Sequence, residues 1–272
     1  MKHLFCFGYG YTAQHLAKLL TGWKVSGTNR ESFATLMHIP DDVTHILSSV
    51  PPGLDGDPVV NKFASQLGRG FEWIGYLSTT GVYGDRAGGE VTEDSPLQPV
   101  SDRGARRVTA ETQWAPFKAH IFRLPGIYGP GRSQLDALRD GTAKRIVKSG
   151  QLFSRIHVDD IAGVLAASIF KPNPGAAYNV ADDEPCPPQD VVTYAAKLLN
   201  IEPPPLIDFD KADLSPMAKS FYGESKRVSN ARIKNELGYK LLYPNYRVGL
   251  EAIFNSQFVI PTKVGTQTFD SP

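Results

Sequence analysis

The sequence predicts an α/β fold: a doubly wound parallel sheet with helices on both faces, followed by a smaller, mainly helical C-terminal lobe. Three observations predict it. Short apolar runs alternate with segments of helical periodicity up to about residue 180, as in β-α-β units. A glycine-rich turn separates the first apolar run from the first helical segment. From residue 182 onward prolines become dense and helical segments dominate.

The predicted strands are short and apolar and end at glycine, proline or polar residues, as buried parallel strands do. They lie at residues 3–7, 24–28, 45–50, 71–78, 120–124 and 177–180. Apolar residues recur at helical spacing between them, as Ala13, Leu16 and Leu20 do. The predicted helices lie at residues 12–20, from 31 onward, 59–67, 102–114, 161–169, 190–199 and 228–237.

These elements divide the chain into two parts and a tail. Residues 1–181 form the sheet domain, with 126–157 contributing loops to the second lobe, and residues 182–254 form that lobe. Residues 255–272 have few apolar anchors and no clear periodicity, so they predict a flexible tail.

Composition narrows the classes of function. The 29 basic and 28 acidic side chains leave a net charge of +1, which argues against nucleic acid or an acidic membrane as partner. The two cysteines, Cys6 and Cys186, make no disulfide framework and point to the cytoplasm. No apolar stretch reaches the ~20 residues that a bilayer span needs. We therefore expect a cytoplasmic protein that acts on a small molecule. Its oligomeric state stays open, with a homodimer as one option.

The turn after the first strand has the form G-x-G-x-x-A, from Gly8 through Gly10 to Ala13. The first glycine permits the tight turn, the second lets the backbone approach a pyrophosphate, and the small alanine allows close helix packing. The N–H groups of Tyr11 and Thr12 would then face the phosphates at the helix N-terminus. In this strand–turn–helix context the pattern predicts dinucleotide binding.

The end of the second strand should select the cofactor. Arg30 follows Asn29 there, and a guanidinium suits the 2′-phosphate of NADP. The adjacent Glu31 keeps NAD as second choice, and Arg30 could also be a solvated residue at a helix start. Ser48 and Ser49 end the third strand at the expected ligand-binding edge, so both are candidate cofactor contacts.

Several motifs, in order, extend this pattern over residues 1–254. Residues 77–85 read LSTTGVYGD, 122–132 read FRLPGIYGPGR, 155–160 read RIHVDD and 178–180 read YNV. These segments resemble the extended short-chain dehydrogenases/reductases, the NAD-dependent epimerase/dehydratase family. The resemblance implies a nicotinamide cofactor and a sugar-type substrate.

The chain departs from that family in its catalytic residues. The family uses a Ser or Thr together with Y-x-x-x-K. Thr79 stands at the hydroxyl position, where it could contact both cofactor and substrate. Arg103 and Arg107, however, stand at the tyrosine and lysine positions. This set is similar to the atypical branch that includes the bacterial YeeZ-like proteins. Arginine has no acceptor and a pKa above 12, so it cannot exchange a proton near neutral pH.

Another group would have to move the proton. Tyr83 and Tyr128 are the candidates, with Thr79 orienting a carbonyl, although loop tyrosines more often anchor a loop by burying the ring. Arg103 and Arg107 are candidate anion contacts, or alternatively part of a solvated helix face. Arg132 and Arg155 stand where sugar-nucleotide members of the family hold the diphosphate. The histidines show no ligand spacing, so no metal site is expected.

Two hypotheses follow. The first is an NAD(P)-binding oxidoreductase or epimerase/dehydratase that acts on a small anionic or nucleotide-linked, sugar-type substrate. The second is a catalytically inactive protein that senses NADP(H) and reports it to a partner. The replacement of tyrosine and lysine by arginine motivates the second.

Overall fold

A six-stranded parallel sheet runs through the computed structural model, which describes residues 1–258. The strands are β1 (His3–Phe7), β2 (Lys24–Thr28), β3 (His45–Ser48), β4 (Trp73–Thr79), β5 (Glu90–Val91), β6 (His120–Leu124), β7 (Gly126–Tyr128), β8 (Arg145–Val147), β9 (Arg155–His157), β10 (Ala177–Asn179), β11 (Leu206–Asp208) and β12 (Arg227–Val228). The helices are α1 (Tyr11–Leu19), α2 (Arg30–Thr35), α3 (Pro58–Leu67), α4 (Asp102–Trp114), α5 (Gln134–Arg139), α6 (Val158–Phe170), α7 (Pro188–Leu199), α8 (Pro216–Phe221), α9 (Ala231–Asn235) and α10 (Tyr246–Phe258). Short 3₁₀ turns occupy Thr80–Tyr83, Ala115–Phe117 and Phe209–Lys211.

The strand order of the main sheet is β10-β6-β4-β3-β1-β2, which confirms the predicted doubly wound sheet. The chain runs from β1 outward to β2 and then returns to place β3 on the other side of β1. This reversal opens a crevice at the carboxyl ends of β1 and β3, where such folds bind ligands. Phe7 pairs with Thr28 on one side and with Ser48 on the other, so all three strands end at the same edge.

Helices cover both faces of the sheet because its strands are apolar on both sides. Helices α1 and α6 pack together on one face, where Leu16 and Leu165 join a buried cluster with Trp73. Helices α3 and α4 cover the other face, where Phe63 and Trp114 are fully buried. Burial on both faces explains why the strands read as continuous apolar runs rather than as alternating ones.

The second lobe is built from two separate stretches of the chain. Helix α5 packs on α7 and strand β8 pairs with β11, so residues from the predicted 126–157 loops combine with residues beyond 181. Leu135, Val191 and Leu250 share one buried cluster of this lobe. The short pair β5–β12 ties the far end of the chain to the sheet domain.

Some local predictions are wrong. The predicted helix at 228–237 contains only α9, since Arg227–Val228 instead form β12. The predicted tail at 255–272 begins inside α10, which continues to Phe258 because Leu250 and Ile253 anchor its apolar face. Residues 259–272 lie outside the described residues. In the described chain, no helix has both the length and the apolar character needed to cross a membrane.

Candidate functional site

A cleft of about 950 Å³ lies between the carboxyl edge of the sheet and the second lobe. It brings together ten of the residues singled out in the sequence: Gly10, Tyr11, Thr12, Ser49, Thr79, Arg103, Arg107, Tyr128, Arg132 and Arg155. Gly8, Asn29, Arg30, Ser48 and Tyr83 do not contribute to its lining. We refer to this space as the cleft.

The β1–α1 turn opens into the cleft. Gly8 has φ of +86°, a left-handed conformation that favours glycine. The Ser49 hydroxyl donates to the Gly8 carbonyl at 2.8 Å and fixes the turn. Gly10 caps α1 with no side-chain hydrogen bond, and a Cβ built on it would meet no heavy atom within 4 Å. The first-turn N–H groups are therefore left to an external anion.

The ends of β2 and β3 differ in what they offer a ligand. Asn29 caps α2, because its side-chain oxygen accepts from the Ser32 N–H at 2.8 Å. Arg30 follows as the first helical residue, and its exposed guanidinium makes no hydrogen bond or ion pair within residues 1–258. Ser48 is fully buried, with no hydrogen-bond partner for its hydroxyl. The Arg30 side chain is therefore available to a ligand, whereas Ser48 does not line the cleft.

Helix α4 contributes two arginines to the cleft lining, one hydrogen-bonded to β4 and the other exposed. Arg107 donates from Nη1 to the Leu77 carbonyl at 2.5 Å and to the Tyr76 hydroxyl at 3.0 Å, so it braces β4. Arg103 lies one turn earlier, is exposed, and places its guanidinium 5.6 Å from the Phe221 ring of α8. Partial desolvation by the cleft walls, followed by the charges of Arg107 and Arg132, lowers the pKa of Arg103.

Thr79 ends β4 at the cleft. Its hydroxyl oxygen accepts from the Gly81 N–H at 3.2 Å, which leaves the hydroxyl hydrogen for another acceptor. Next to it, Ser78 is turned inward and donates to the Glu111 carboxylate at 2.5 Å. Of these two hydroxyls, Thr79 is therefore the one with a proton to donate into the cleft.

Tyr83 does not fit the role proposed from its sequence position. It is fully buried and outside the cleft lining. Its hydroxyl donates to Asn179 Oδ1 at 2.7 Å and accepts from Arg123 Nη1 at 2.8 Å. Arg123 also pairs with Glu111 at 2.8 Å. Burial raises the pKa of the Tyr83 hydroxyl, so this tyrosine belongs to a structural network beneath the site.

Tyr128 lines the cleft with its ring, but its hydroxyl points elsewhere. The hydroxyl donates to the Asn245 carbonyl at 3.4 Å and lies against Gly249 of α10. Burial, strengthened by the charge of Asp182, raises the pKa of Tyr128 far above its ordinary value. The packing interpretation of this tyrosine therefore fits its surroundings better than a proton-transfer role.

Arg155 lines the cleft, and its carbonyl accepts at 2.7 Å from the N–H of Asp182, which lies outside the lining. Arg155 donates from Nη1 to Cys186 Sγ at 2.8 Å and lies 5.5 Å from the Tyr246 ring. Asp182 is 1% exposed and its Oδ2 has no hydrogen-bond partner. Burial raises the pKa of Asp182 to about 8, although the charge of Arg155 opposes the change.

The cleft residues that sequence reasoning missed include Tyr222, Glu224 and Lys226. Lys226 is buried, donates to the Gly84 carbonyl at 2.8 Å and pairs with Glu224. These residues carry no motif and lie far along the chain from the sheet edge they reach, so no sequence signal marks them. In residues 1–258 no group of three or more His, Cys, Asp or Glu side chains could hold a metal ion.

Comparison with known proteins gives the following similarities. The chain is 32% identical to the protein YeeZ of Escherichia coli over 188 residues, which is 66% of this chain and 62% of YeeZ. It is 51% identical to a functionally unknown conserved protein from Silicibacter pomeroyi, whose structure aligns with a TM-score of 0.89 over 94% of this chain and 99% of that one. No family model matches the chain.

Two more distant structures share the fold. A proposed NAD-dependent epimerase/dehydratase from Methylobacillus flagellatus is 25% identical, with a TM-score of 0.71 over 94% of this chain and 98% of that one. A human epimerase family protein solved with NADPH is 17% identical, with a TM-score of 0.72 over 94% of this chain and 99% of that one. The chain spans about 62% of the length of YeeZ.

Proposed function

We propose that the chain, which is similar to YeeZ and to a proposed NAD-dependent epimerase/dehydratase, belongs to the YeeZ-like branch of the extended short-chain dehydrogenases/reductases and binds a nicotinamide dinucleotide in the cleft. The proposed activity is that of an oxidoreductase or epimerase/dehydratase on a small anionic or nucleotide-linked, sugar-type substrate. NADP is the proposed cofactor, with NAD as second choice.

The open β1–α1 turn is the observation that carries this proposal. Gly10 exposes backbone to the cleft with no side chain and no neighbouring atom in the way. The N-terminus of α1 adds a partial positive charge directed at the same space. A pyrophosphate needs close backbone approach and N–H donors, and this turn offers both. Residues 11–13 and the turn before them would hold the diphosphate of the cofactor.

Arg30 supports the choice of NADP. Among residues 1–258 its exposed guanidinium has no partner just after β2, while the Asn29 side chain is occupied in capping α2. Adenosine of a cofactor held at Gly10 would extend toward this strand end, where an arginine accommodates a 2′-phosphate and an acidic residue would bond a 2′-hydroxyl. Glu31, in the first turn of α2, remains the residue that would serve NAD.

The arrangement of the cleft limits the chemistry. A bound nicotinamide would supply or accept a hydride. Thr79 would donate its hydroxyl hydrogen to a substrate carbonyl, and Arg103 would stabilise negative charge on a substrate oxygen. Arg103 cannot take a proton from an alcohol, and the Tyr83 and Tyr128 hydroxyls are bonded inside the protein. The proton would therefore come from water or from a titratable group of the second lobe.

A regulatory protein that senses NADP(H) is the second candidate. The withdrawal of the Tyr83 hydroxyl into the Arg123–Glu111 network favours it, because the cleft then binds ligands without a tyrosine proton relay. The two candidates share the cofactor and differ in turnover.

One experiment tests the shared part and another separates the candidates. The melting temperature of the purified protein should rise with NADP or NAD, by an amount set by ligand concentration and Kd. Failure of both dinucleotides to shift it at saturating concentrations would reject the proposal. Consumption of NADPH with a panel of carbonyl compounds and sugar nucleotides would support the enzyme; binding without turnover across the panel would support the sensor.

A further inference from the structure

We infer that Arg103 and Arg132 together form one site for a doubly charged oxyanion, either a phosphate monoester or a dicarboxylate. This inference rests on the proposed function and specifies the charge of the second ligand that enters the cleft beside the dinucleotide. The site uses one residue from the sheet domain and one from the loop that leads into the second lobe.

The two arginines line the same cleft, and the positive charge of Arg132 contributes to the lowered pKa of Arg103. Arg103 stands in the first turn of α4 and Arg132 in the loop between β7 and α5, and both line the cleft. Within the described part of the chain, neither makes a hydrogen bond or an ion pair through its side chain, and the Phe221 ring is the neighbour of Arg103. Two like charges facing one cavity repel each other, and an anion between them removes that repulsion.

Two of the three acidic residues that line the cleft, Asp136 and Glu224, have other partners. Asp136 accepts from the Ser133 N–H at 2.8 Å and from the Ser133 hydroxyl at 2.6 Å, which closes the cap of α5. Glu224 pairs with Lys226. The third, Asp140, is exposed and has no side-chain hydrogen bond or ion pair within residues 1–258. Its single charge cannot balance two guanidinium groups, so a ligand has to supply further negative charge. Planar guanidinium groups match the geometry of carboxylate and phosphate oxygens.

The loop that carries Arg132 is already held in place. Gly129 and Arg132 exchange two backbone hydrogen bonds of 3.2 and 3.0 Å. The Tyr11 hydroxyl donates to the Pro130 carbonyl at 3.0 Å. A Cβ on Gly129 would lie 2.4 Å from the Tyr11 hydroxyl oxygen, so this close contact requires glycine. A loop fixed before the ligand arrives loses little entropy on binding.

The same hydrogen bond connects the anion site to the dinucleotide turn. Tyr11 is the first residue of α1, directly after Gly10, and its hydroxyl holds the loop of Arg132. The proposed oxyanion would therefore lie close to the proposed diphosphate, on the side of the cleft that faces α4 and α8. A ligand with a single negative charge would neutralise only one of the two arginines.

Titration calorimetry at low ionic strength with malonate, inorganic phosphate near pH 8 and acetate tests the inference. The wild-type protein should bind malonate or phosphate saturably and acetate at least about tenfold more weakly. Arg103→Gln and Arg132→Gln should each weaken binding at least about tenfold, since each removes charge-assisted hydrogen bonds. The double variant should be less weakened than the product of the single effects, because both residues hold one ligand.

Arg106→Gln is the matched control. It removes the same charge from the same helix, but Arg106 does not line the cleft, so binding should change less than about twofold. Arg103→Lys keeps the charge without the planar group and should bind more tightly than Arg103→Gln. Melting curves of each variant check that it is folded.

The binding results distinguish the two kinds of dianion and show whether the site exists. Saturable malonate binding without phosphate binding assigns a dicarboxylate, and the reverse assigns a phosphate monoester. Equal weakening by Arg106→Gln, fully additive single effects, or no saturation with either dianion would overturn the inference. NADPH binding is measured separately by its fluorescence. Retained NADPH binding with no dianion site rejects this inference alone, whereas loss of NADPH binding rejects the proposed function.

Discussion

Replacement of Gly10 by alanine gives a direct test of the dinucleotide turn. Gly10 has φ of −101° and ψ of −158°, a conformation that alanine adopts without strain. A Cβ at this position meets no heavy atom within 4 Å, so the methyl group clashes with nothing in the free protein. It does project into the space where a pyrophosphate would need close contact with the backbone.

The expected effect on the free protein is small. Alanine is a poorer N-cap than glycine by roughly 0.5–1 kcal/mol. Lower entropy of the unfolded chain returns about 0.4–1 kcal/mol when the native conformation is compatible. The two effects nearly cancel. Since 1 kcal/mol corresponds to about 2–4 °C for a protein of this size class, the melting temperature of the free variant should stay within a few degrees of wild type.

The expected effect on binding is large. Wild-type protein with NADP at a hundredfold excess over Kd should gain about 2.7 kcal/mol, a rise of roughly 5–11 °C in melting temperature. Displacement of the diphosphate by a methyl group should weaken binding at least about a hundredfold, or ~2.8 kcal/mol. The rise should then nearly disappear at the same NADP concentration.

Gly68→Ala is the control for this experiment. Gly68 ends α3 with φ of −73°, and a Cβ there would lie 3.9 Å from the nearest atom, the Ser65 carbonyl oxygen. It is distant from the cleft lining, so the NADP response should match wild type. An unchanged NADP response in Gly10→Ala would show that the turn does not hold the diphosphate, and the reasoning from its geometry would fail.

Three further predictions concern cofactor choice, stability and pH. Arg30→Gln should weaken NADP binding roughly tenfold or more while leaving NAD binding nearly unchanged, because a charge-assisted hydrogen bond is worth about 1.5–3 kcal/mol. Glu31→Gln is the control. Equal losses of NADP and NAD binding in Arg30→Gln would contradict the choice of NADP. Tyr83→Phe should cost about 1–3 kcal/mol in urea unfolding, because it leaves buried partners such as Asn179 unsatisfied, and NADP binding should persist. Folding raises the pKa of Asp182 from 3.8 to about 8, so its stabilising contribution is present at low pH and is lost as pH rises through that window. Asp182→Asn should therefore gain in melting temperature relative to wild type as pH rises from 3.8 to about 8, and gain no further above that. A difference that stays constant across this range would argue against a protonated Asp182.

The Arg123–Glu111 pair illustrates why catalytic roles were harder to predict than the fold. Its two residues lie on different elements, α4 and β6, and are buried together beneath the cleft. Arg123 then supplies the hydrogen bond that holds the Tyr83 hydroxyl inside the protein. The sequence favoured packing for Tyr83 and left proton transfer as the alternative, because only the orientation of the hydroxyl distinguishes the two roles.

The sequence by itself determined the doubly wound sheet and the glycine turn between β1 and α1. Both depend on local properties. Apolar runs bury a strand on two faces, and helical spacing predicts α1. Gly8 permits a left-handed backbone conformation, and Gly10 lets a ligand come close to the backbone. Each of these properties involves only residues that are close together in the sequence.

The tertiary structure decided which side chains face the cleft. Tyr83 meets Asn179, 96 residues away, and Lys226 meets Gly84, 142 residues away. Contacts at such separations depend on how α4, the sheet edge and the second lobe pack together. A side chain turns toward the ligand or into the core according to where its hydrogen-bond partners end up, because a buried polar group left without a partner is costly.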